Sequence, residues 1–256
     1  MTVRLLSWNV NGIRSVIRKG FWDWLQTDTP DLLCLQETRI HADQLTGKMR
    51  NPPGYFSYWV AGERRGYSGV ATFSRHEPQA VSTGMGKLKF DVEGRVLTTQ
   101  FPEFTLVNAY FPSGQRGHER VAYKLAFYDA LLSYCVELRA EGHRLAICGD
   151  FNTAHEPIDL ARPAQNKKTS GFLPEEREAL TRWLESGFVD SYRSLHPNEV
   201  AYSWWTYRAN ARARNVGWRL DYFLVDEALM PLVRDASIVS DIPGSDHCPV
   251  ALELDL

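Results

Sequence analysis

The chain has 256 residues, 44% hydrophobic and 12% aromatic, with a formal net charge of −2. This composition excludes a disordered or fibrous chain, and without a long apolar run no membrane-spanning helix is expected. A charge so near zero neither demands nor forbids a polyanionic partner, because a basic cleft can sit on an acidic globule.

The first strand-like run, "VRLLSWNV", begins at Val3, which leaves no room for a signal sequence ahead of it. A soluble protein of the cytoplasm is therefore expected, associated with the nucleoid if bacterial. A helix is predicted over 20–28, after Gly20, between strands at 3–10 and 31–37. Further strands follow at 55–60, 68–74, 95–101 and 104–111, many rich in Val, Leu, Tyr and Trp. The long segment 118–141 reads as a helix with Val121, Leu125, Tyr128, Leu132, Cys135 and Leu138 on one stripe. After a strand at 144–150 comes a helix at 174–186, with Pro174 in its first turn and Glu175 and Glu176 where the helix dipole favours negative charge. The remaining strands are predicted at 202–207, 220–225, 236–240 and 249–254. No linker-like stretch or repeat divides the chain, so one domain over 1–256 is expected. So many strands with few helices imply two sheets packed face to face with helices outside. Cys34, Cys135, Cys148 and Cys248 lie far apart in or beside apolar runs, as reduced core thiols do.

Polar residues recur at the ends of these strands. "LLSWNVNG" ends in Asn9 and Asn11, "LLCLQET" in Glu37, "TLVNAYFPSG" in Tyr110, and "LAICGDFN" in Asp150 and Asn152. "VGWRLDYFLV" carries Asp221, and the loop "GSDHCP" places Asp246 beside His247 just before the last strand. Each alone is an ordinary turn or cap residue. As a set they are carboxylates, carboxamides, one phenol and one imidazole, where turn chemistry alone would accept Ser, Thr or Lys as readily. Hard oxygen ligands of this kind suit Mg²⁺, which takes one or two carboxylates together with water and substrate phosphate.

With "SWNVNG", "LQET", "YFPSG", "GDFN", "NVGWRLDYFLV" and "GSDHCP" in this order, the chain resembles the exonuclease III group of abasic-site endonucleases, within the endonuclease/exonuclease/phosphatase superfamily. The likeness spans nearly the whole length, and "NVGWRLDYFLV" with "NKKTSGFLPEER" narrows it to the DNA-repair branch. It implies an α/β fold, a four-layer αββα sandwich of two packed mixed sheets (DNase I-like). It also implies a phosphodiesterase that cuts 5′ to abasic sites in duplex DNA, with 3′-phosphodiesterase or 3′-5′ exonuclease activity.

Residue by residue, the resemblance makes Glu37 the principal ligand of one or two Mg²⁺ ions, with Mn²⁺ also plausible, and places Asn9, Asn11 and Asp246 around it. Asn11 stands where some relatives carry an acid, so metal binding that depends on substrate phosphate is expected. Asp150 would orient or deprotonate the attacking water and contact a second metal position, and Asn152 would hold that water, the phosphate or the metal. Tyr110 would donate its phenol, and His247, positioned by Asp221, would bind the phosphate. Trp204 and Trp218 would wall the flipped-out abasic sugar, Arg116 and Arg208 would enter the grooves, and Asn166 would touch the backbone. Ser113 and Thr169 depart from the carboxamides common in relatives. Arg208, Arg212, Arg214 and Arg219, with no carboxylate between Ser203 and Leu220, predict a local basic face. The expected partner is duplex DNA with abasic sites or blocked 3′ ends, bound by a monomer away from membranes. Two other readings remain: a same-fold phosphoesterase acting on a small or lipid phosphate, and an inactive DNA-binding scaffold.

Overall fold

Side chains along a strand point alternately to its two faces, and the first strand shows what this builds. In β1 (Thr2–Asn9), Val3 and Leu5 enter an apolar cluster shared with residues of the second half of the chain, while Leu6 and Trp8 enter another beneath the helices Ile13–Arg18 and Phe21–Asp28. Such a strand is buried on both faces, so it must lie between a second sheet and a helical layer. The computed structural model, which describes residues 1–256, is arranged in this way.

The further strands are β2 (Leu32–Gln36), β3 (Phe56–Val60), β4 (Val70–Ser74), β5 (Ala80–Thr83), β6 (Val96–Gln100) and β7 (Thr105–Tyr110). They continue with β8 (Leu145–Asp150), β9 (Phe188–Asp190), β10 (Asp221–Asp226), β11 (Val233–Ile238) and β12 (Val250–Asp255). Two six-stranded sheets result, ordered β11-β12-β1-β2-β4-β3 and β5-β6-β7-β8-β10-β9. Each has one parallel pair at its centre, β1 with β2 and β7 with β8, and only antiparallel pairs outside it. The helices His118–Ala140 and Pro174–Glu185 cover the outer face of the second sheet. Three apolar clusters thus separate four layers, which is the αββα sandwich expected. Each fully buried Leu or Phe in them contributes roughly 1.5–3 kcal/mol relative to an exposed one.

Two sequence expectations need correction. Segment 202–207 is no strand: Trp204 makes only isolated bridges, to Trp218 and His247. The buried face of His118–Ala140 runs through Val121, Lys124, Phe127, Tyr128, Leu131 and Cys135, so Leu125, Leu132 and Leu138 flank it and a lysine lies in it. Glu176 is a first-turn acid as expected, and it is also fully buried. All four cysteines are buried and unpaired, and no helix is long and apolar enough to cross a membrane.

Between the sheets, composition changes along every central strand. Reading the inward positions toward one rim, β1 gives Val3, Leu5, Ser7 and Asn9, β2 gives Leu32, Cys34 and Gln36, and β7 gives Leu106, Asn108 and Tyr110. β8 gives Ala146, Cys148 and Asp150. The polar middle is partly paired internally: Gln36 Nε2 donates to Ser7 Oγ at 3.0 Å and to Asn108 Oδ1 at 2.8 Å, while Gln36 Oε1 has no partner. Past it, the polar groups face the open rim.

Candidate active site

The two central parallel pairs deliver their carboxyl ends to this rim. Asn9 ends β1 and Glu37 follows β2, while Tyr110 and Asp150 are register partners at the ends of β7 and β8. Asp221, at the start of antiparallel β10, pairs with Asp150, and Asp246 and His247 arrive on the loop before β12. Several backbone positions here are left-handed: Asn11 at φ 45, Glu37 at φ 55, Arg39 at φ 51 and Asn152 at φ 51. Asn adopts this region with little strain, but Glu and Arg do so at a cost, which active sites often store.

Hydrogen bonds knit the sequence-predicted residues together. Asn9 Nδ2 donates to Asp150 Oδ2 at 2.8 Å and to Glu37 Oε2 at 3.2 Å, which joins the sheets through one amide. Asn11 Nδ2 donates to Asp246 Oδ1 at 2.9 Å, and Trp204 Nε1 donates to Asp246 Oδ2 at 3.1 Å. Asn152 donates its backbone N–H to Asp150 Oδ1 at 2.8 Å and its amide to Phe111 O at 3.0 Å. His247 Nδ1 lies 2.8 Å from Asp221 Oδ2, and its Nε2 lies 3.8 Å from Asp150 Oδ2.

This arrangement sets the charge states. Burial, reinforced by Asp221, pushes Asp150 up to about 7, although His247 opposes the shift. Burial also works against a charged His247, but Asp221 and Asp150 outweigh it and raise the imidazole to about 10. Burial and the Glu37 carboxylate hold the Tyr110 phenol well above its ordinary value, so it remains a donor. Burial disfavours the Asp246 carboxylate, yet His247, Asn11 and Trp204 together hold it below the usual range.

The donor set fits a divalent cation. Glu37, Asp150, Asp221 and Asp246 form ion pairs with only two cationic side chains, Arg39 on Glu37 and His247 on Asp221 and Asp150, so four ionised acids have two paired cations among them. Ligand atoms of Asp150, Asp221 and His247 lie within 4.8 Å of one another. Asp221 Oδ2 is already held by His247 and by Ser203 Oγ at 2.6 Å, and an imidazolium repels a cation. The hard oxygens of Glu37, Asp150 and the Asn9 and Asn11 amides therefore suit magnesium better than that trio does.

Two clefts open from the rim. One, of about 310 Å³, has Trp204 and Trp218 as walls and includes Asn152, Asn166, Thr169 and Gly171. The tryptophan rings stand nearly perpendicular at 83°, and Trp204 lies 6.4 Å from the His247 ring. A Cβ on Gly171 would lie 3.2 Å from the Trp218 ring, so glycine shapes this wall. The other cleft, of about 440 Å³, runs past Glu37 and Tyr110 to Arg39, Arg64, Arg65, Tyr67 and Arg116. Ser113 and Gln115 line both clefts, which makes one elongated groove across the site.

The sequence misplaced part of the basic face. Arg219 is 1% exposed and bonded to Asp159 and Asp190, and Arg212 donates to the backbone oxygens of Ser240, Ile242 and Ser245, so neither belongs to a free face. Arg208 and Arg214 are exposed, but the denser cluster is Arg39, Arg64, Arg65 and Arg116, in which Arg39 pairs with Glu37 and Arg65 with Asp43. The doublet "RRGY" was its available signal. Ser203, which clamps Asp221, had none.

The sequence matches the family model described as the Endonuclease/Exonuclease/phosphatase family over residues 6–247. The chain belongs to that family. It is 47% identical to an exodeoxyribonuclease of Bacillus subtilis (strain 168), over 99% of this chain and 100% of that one. It is 46% identical to the DNA repair nuclease APEX1 of Danio rerio, over 98% of this chain and 82% of the relative. Among solved structures, the AP endonuclease of Leishmania major superposes with a TM-score of 0.91 at 29% identity, covering 100% of this chain and 88% of that one. The Leishmania major structure shares the fold of this chain over its whole length.

Proposed function

We propose that the chain is a DNA-repair phosphodiesterase that hydrolyses the backbone 5′ to abasic sites in duplex DNA and also trims 3′ ends. The observation that carries this reading is the tryptophan-walled cleft, whose Trp204 ring lies 6.4 Å from that of His247, meeting an arginine-lined cleft at Ser113 and Gln115. A soluble sugar phosphate or a lipid headgroup would leave the arginine arm of that groove without a purpose. The relatives named as exodeoxyribonuclease and AP endonuclease support both activities. The whole of 1–256 acts as one catalytic domain in this reading, because the site draws on both sheets. Four thiols without disulfides support a reducing, cytoplasmic setting.

Glu37, with Asn9, Asn11 and Asp246, holds one or two Mg²⁺ or Mn²⁺ ions. Magnesium bound there would supply positive charge against the phosphate. Asp150, pushed up to about 7, is poised as the base for the attacking water, whereas His247, raised to about 10, stays charged and binds the phosphate. Asn152 holds the water or phosphate, and Tyr110 donates to the phosphate or leaving oxygen. Trp204 and Trp218 take the abasic sugar after the nucleotide leaves the stack. Asn166 contacts the backbone, and Arg116 and Arg208 enter the grooves.

The test is an end-labelled duplex with a single abasic-site analogue, incubated with and without EDTA. One cut 5′ to the analogue, abolished by EDTA, is expected. Glu37→Gln should slow that cut at least about a hundredfold while duplex binding persists. Hydrolysis of a soluble sugar phosphate without DNA incision would overturn the reading.

A further inference from the structure

Lys124 lies in the buried face of the helix His118–Ala140, where the pattern of neighbouring residues calls for an apolar side chain. Its Nζ donates to Glu176 Oε1 at 2.8 Å and to the backbone oxygen of Asn152 at 2.6 Å. Both charged side chains are fully buried. Glu176 in turn gathers the turn ahead of its own helix: Ser170 Oγ donates to Oε1 at 2.8 Å, and the N–H groups of Gly171 and Leu173 donate to Oε2. One ion pair therefore grips two separate pieces of backbone. Asn152, at φ 51, lines the tryptophan-walled cleft beside Asp150, and Ser170 and Gly171, the latter at φ 99, are in the wall of the same cleft against Trp218.

Stability alone gives no reason for this arrangement, because apolar residues of similar volume often stabilise a core as well as a buried ion pair does. Apolar residues would, however, leave only the backbone bond from Ala154 N–H to Gly171 O, at 2.8 Å, and would free the Asn152 carbonyl and the N–H groups of Gly171 and Leu173. We propose that Lys124 and Glu176 are positioning residues that fix catalytic Asn152 against the 170–173 wall of the pocket, so that an abasic sugar seated there brings its phosphate to the reacting groups. This rests on the reading of Asn152 and of the tryptophan pocket given above. Near-attack geometry is sensitive to displacements of about 1 Å, so releasing either end should reach both catalysis and lesion preference.

The test compares wild type with Lys124→Met, Glu176→Gln, Ser170→Ala and the double variant Lys124→Met/Glu176→Leu. For each, kcat and KM on an abasic-site duplex, the ratio of affinities for abasic and intact duplex, and the thermal midpoint are measured, with rates expressed per folded molecule. The double variant is expected to regain part of the midpoint lost in the single variants, because the N–H groups of Gly171 and Leu173 stay unpaired, yet keep kcat and abasic preference each down by about tenfold. A double variant that regains midpoint, kcat and preference together would show a purely structural pair and overturn the proposal. If the double variant does not regain its midpoint, Ser170→Ala decides, since it removes only one hydrogen bond from a half-buried position. A loss of abasic preference of about threefold supports the proposal, and an unchanged preference overturns it. Wild type that fails to incise the abasic duplex would sink the functional reading itself. Wild-type incision with unaltered variants sinks only this inference.

Discussion

Asp150 and His247 lie 3.8 Å apart, yet their protonation equilibria are shifted for different reasons. Asp150 is raised because burial and Asp221 disfavour its carboxylate, so the folded protein holds a proton there that the unfolded chain has already released. Between its ordinary value near 4 and about 7, the metal-free protein should therefore lose stability as pH rises. His247 is raised despite burial because Asp221 and Asp150 favour its charged form. Its contribution is fully present below the ordinary histidine value and is lost as pH climbs toward about 10. Both terms run the same way, so the metal-free thermal midpoint is expected to fall steadily from mildly acidic to alkaline pH. Excess Mg²⁺ should restore much of it near pH 8, as a cation compensates the acids. Asp150→Asn removes the group that resists ionisation and should raise the metal-free midpoint at that pH, while cutting turnover at least about a hundredfold. Thermal scans across pH, with and without magnesium, check the first effect, and single-turnover incision checks the second. A midpoint that stays flat with pH in the metal-free protein would refute this account of the pair.

At the level of elements, the site depends on how closely β7 and β8 approach. Gly149, just before Asp150, sits at φ 144, and a Cβ there would fall 1.7 Å from the carbonyl oxygen of Ala109 on the paired strand. Gly20 also has a positive φ, 94, but a Cβ would meet nothing within 4 Å. Gly20→Ala should thus cost about 1 kcal/mol of backbone strain, and Gly149→Ala about 3 kcal/mol or more, because strand separation must change as well. Urea midpoints with unchanged slopes would show the difference. Equal losses at the two positions would show that the approach of β7 to β8 is not limiting. The same strand ends made much of the site legible in sequence. Asn9, Glu37, Tyr110, Asp150, Asp221, Asp246 and His247 each follow or open an apolar run, and apolar runs were easy to read. Less legible were elements without that signature. β5 is a four-residue, exposed edge strand, and β9 has only three residues. "YSWWTY" has strand composition but folds as a loop, because Trp204 turns to the pocket and Asp246 while Trp205 packs into a separate cluster. Lys124 and Ser203 act through partners distant in sequence, which no local pattern encodes.

Across the whole molecule, a net charge of −2 hides an uneven distribution. One arm of the groove presents Arg39, Arg64, Arg65 and Arg116, whereas the other is walled by tryptophan and carboxamide groups with a single arginine, Arg162. Grip and lesion recognition should therefore separate along the groove. An arginine that meets a phosphate displaces condensed cations, so Arg116→Ala should weaken abasic and intact duplex alike and lower the salt slope by about 0.9. Arg64→Ala and Arg65→Ala should each behave similarly if each makes one phosphate contact. Trp218 carries no charge and offers an apolar face only to a sugar that has left the helix. Trp218→Ala should leave the salt slope unchanged and reduce the preference for abasic over intact duplex. Arg219 is the contrasting control, since it is adjacent in sequence to Trp218 but buried between Asp159 and Asp190. Arg219→Ala should cost about 3–5 kcal/mol of stability by leaving Asp190 without its cation and Asp159 with Arg193 alone, whatever it does to binding. Paired titrations of damaged and intact duplex over several salt concentrations, with the unfolding midpoint of each variant, distinguish these outcomes. If Trp218→Ala weakened both duplexes equally, the tryptophan pocket would be a general DNA contact and lesion preference would have to arise elsewhere in the groove.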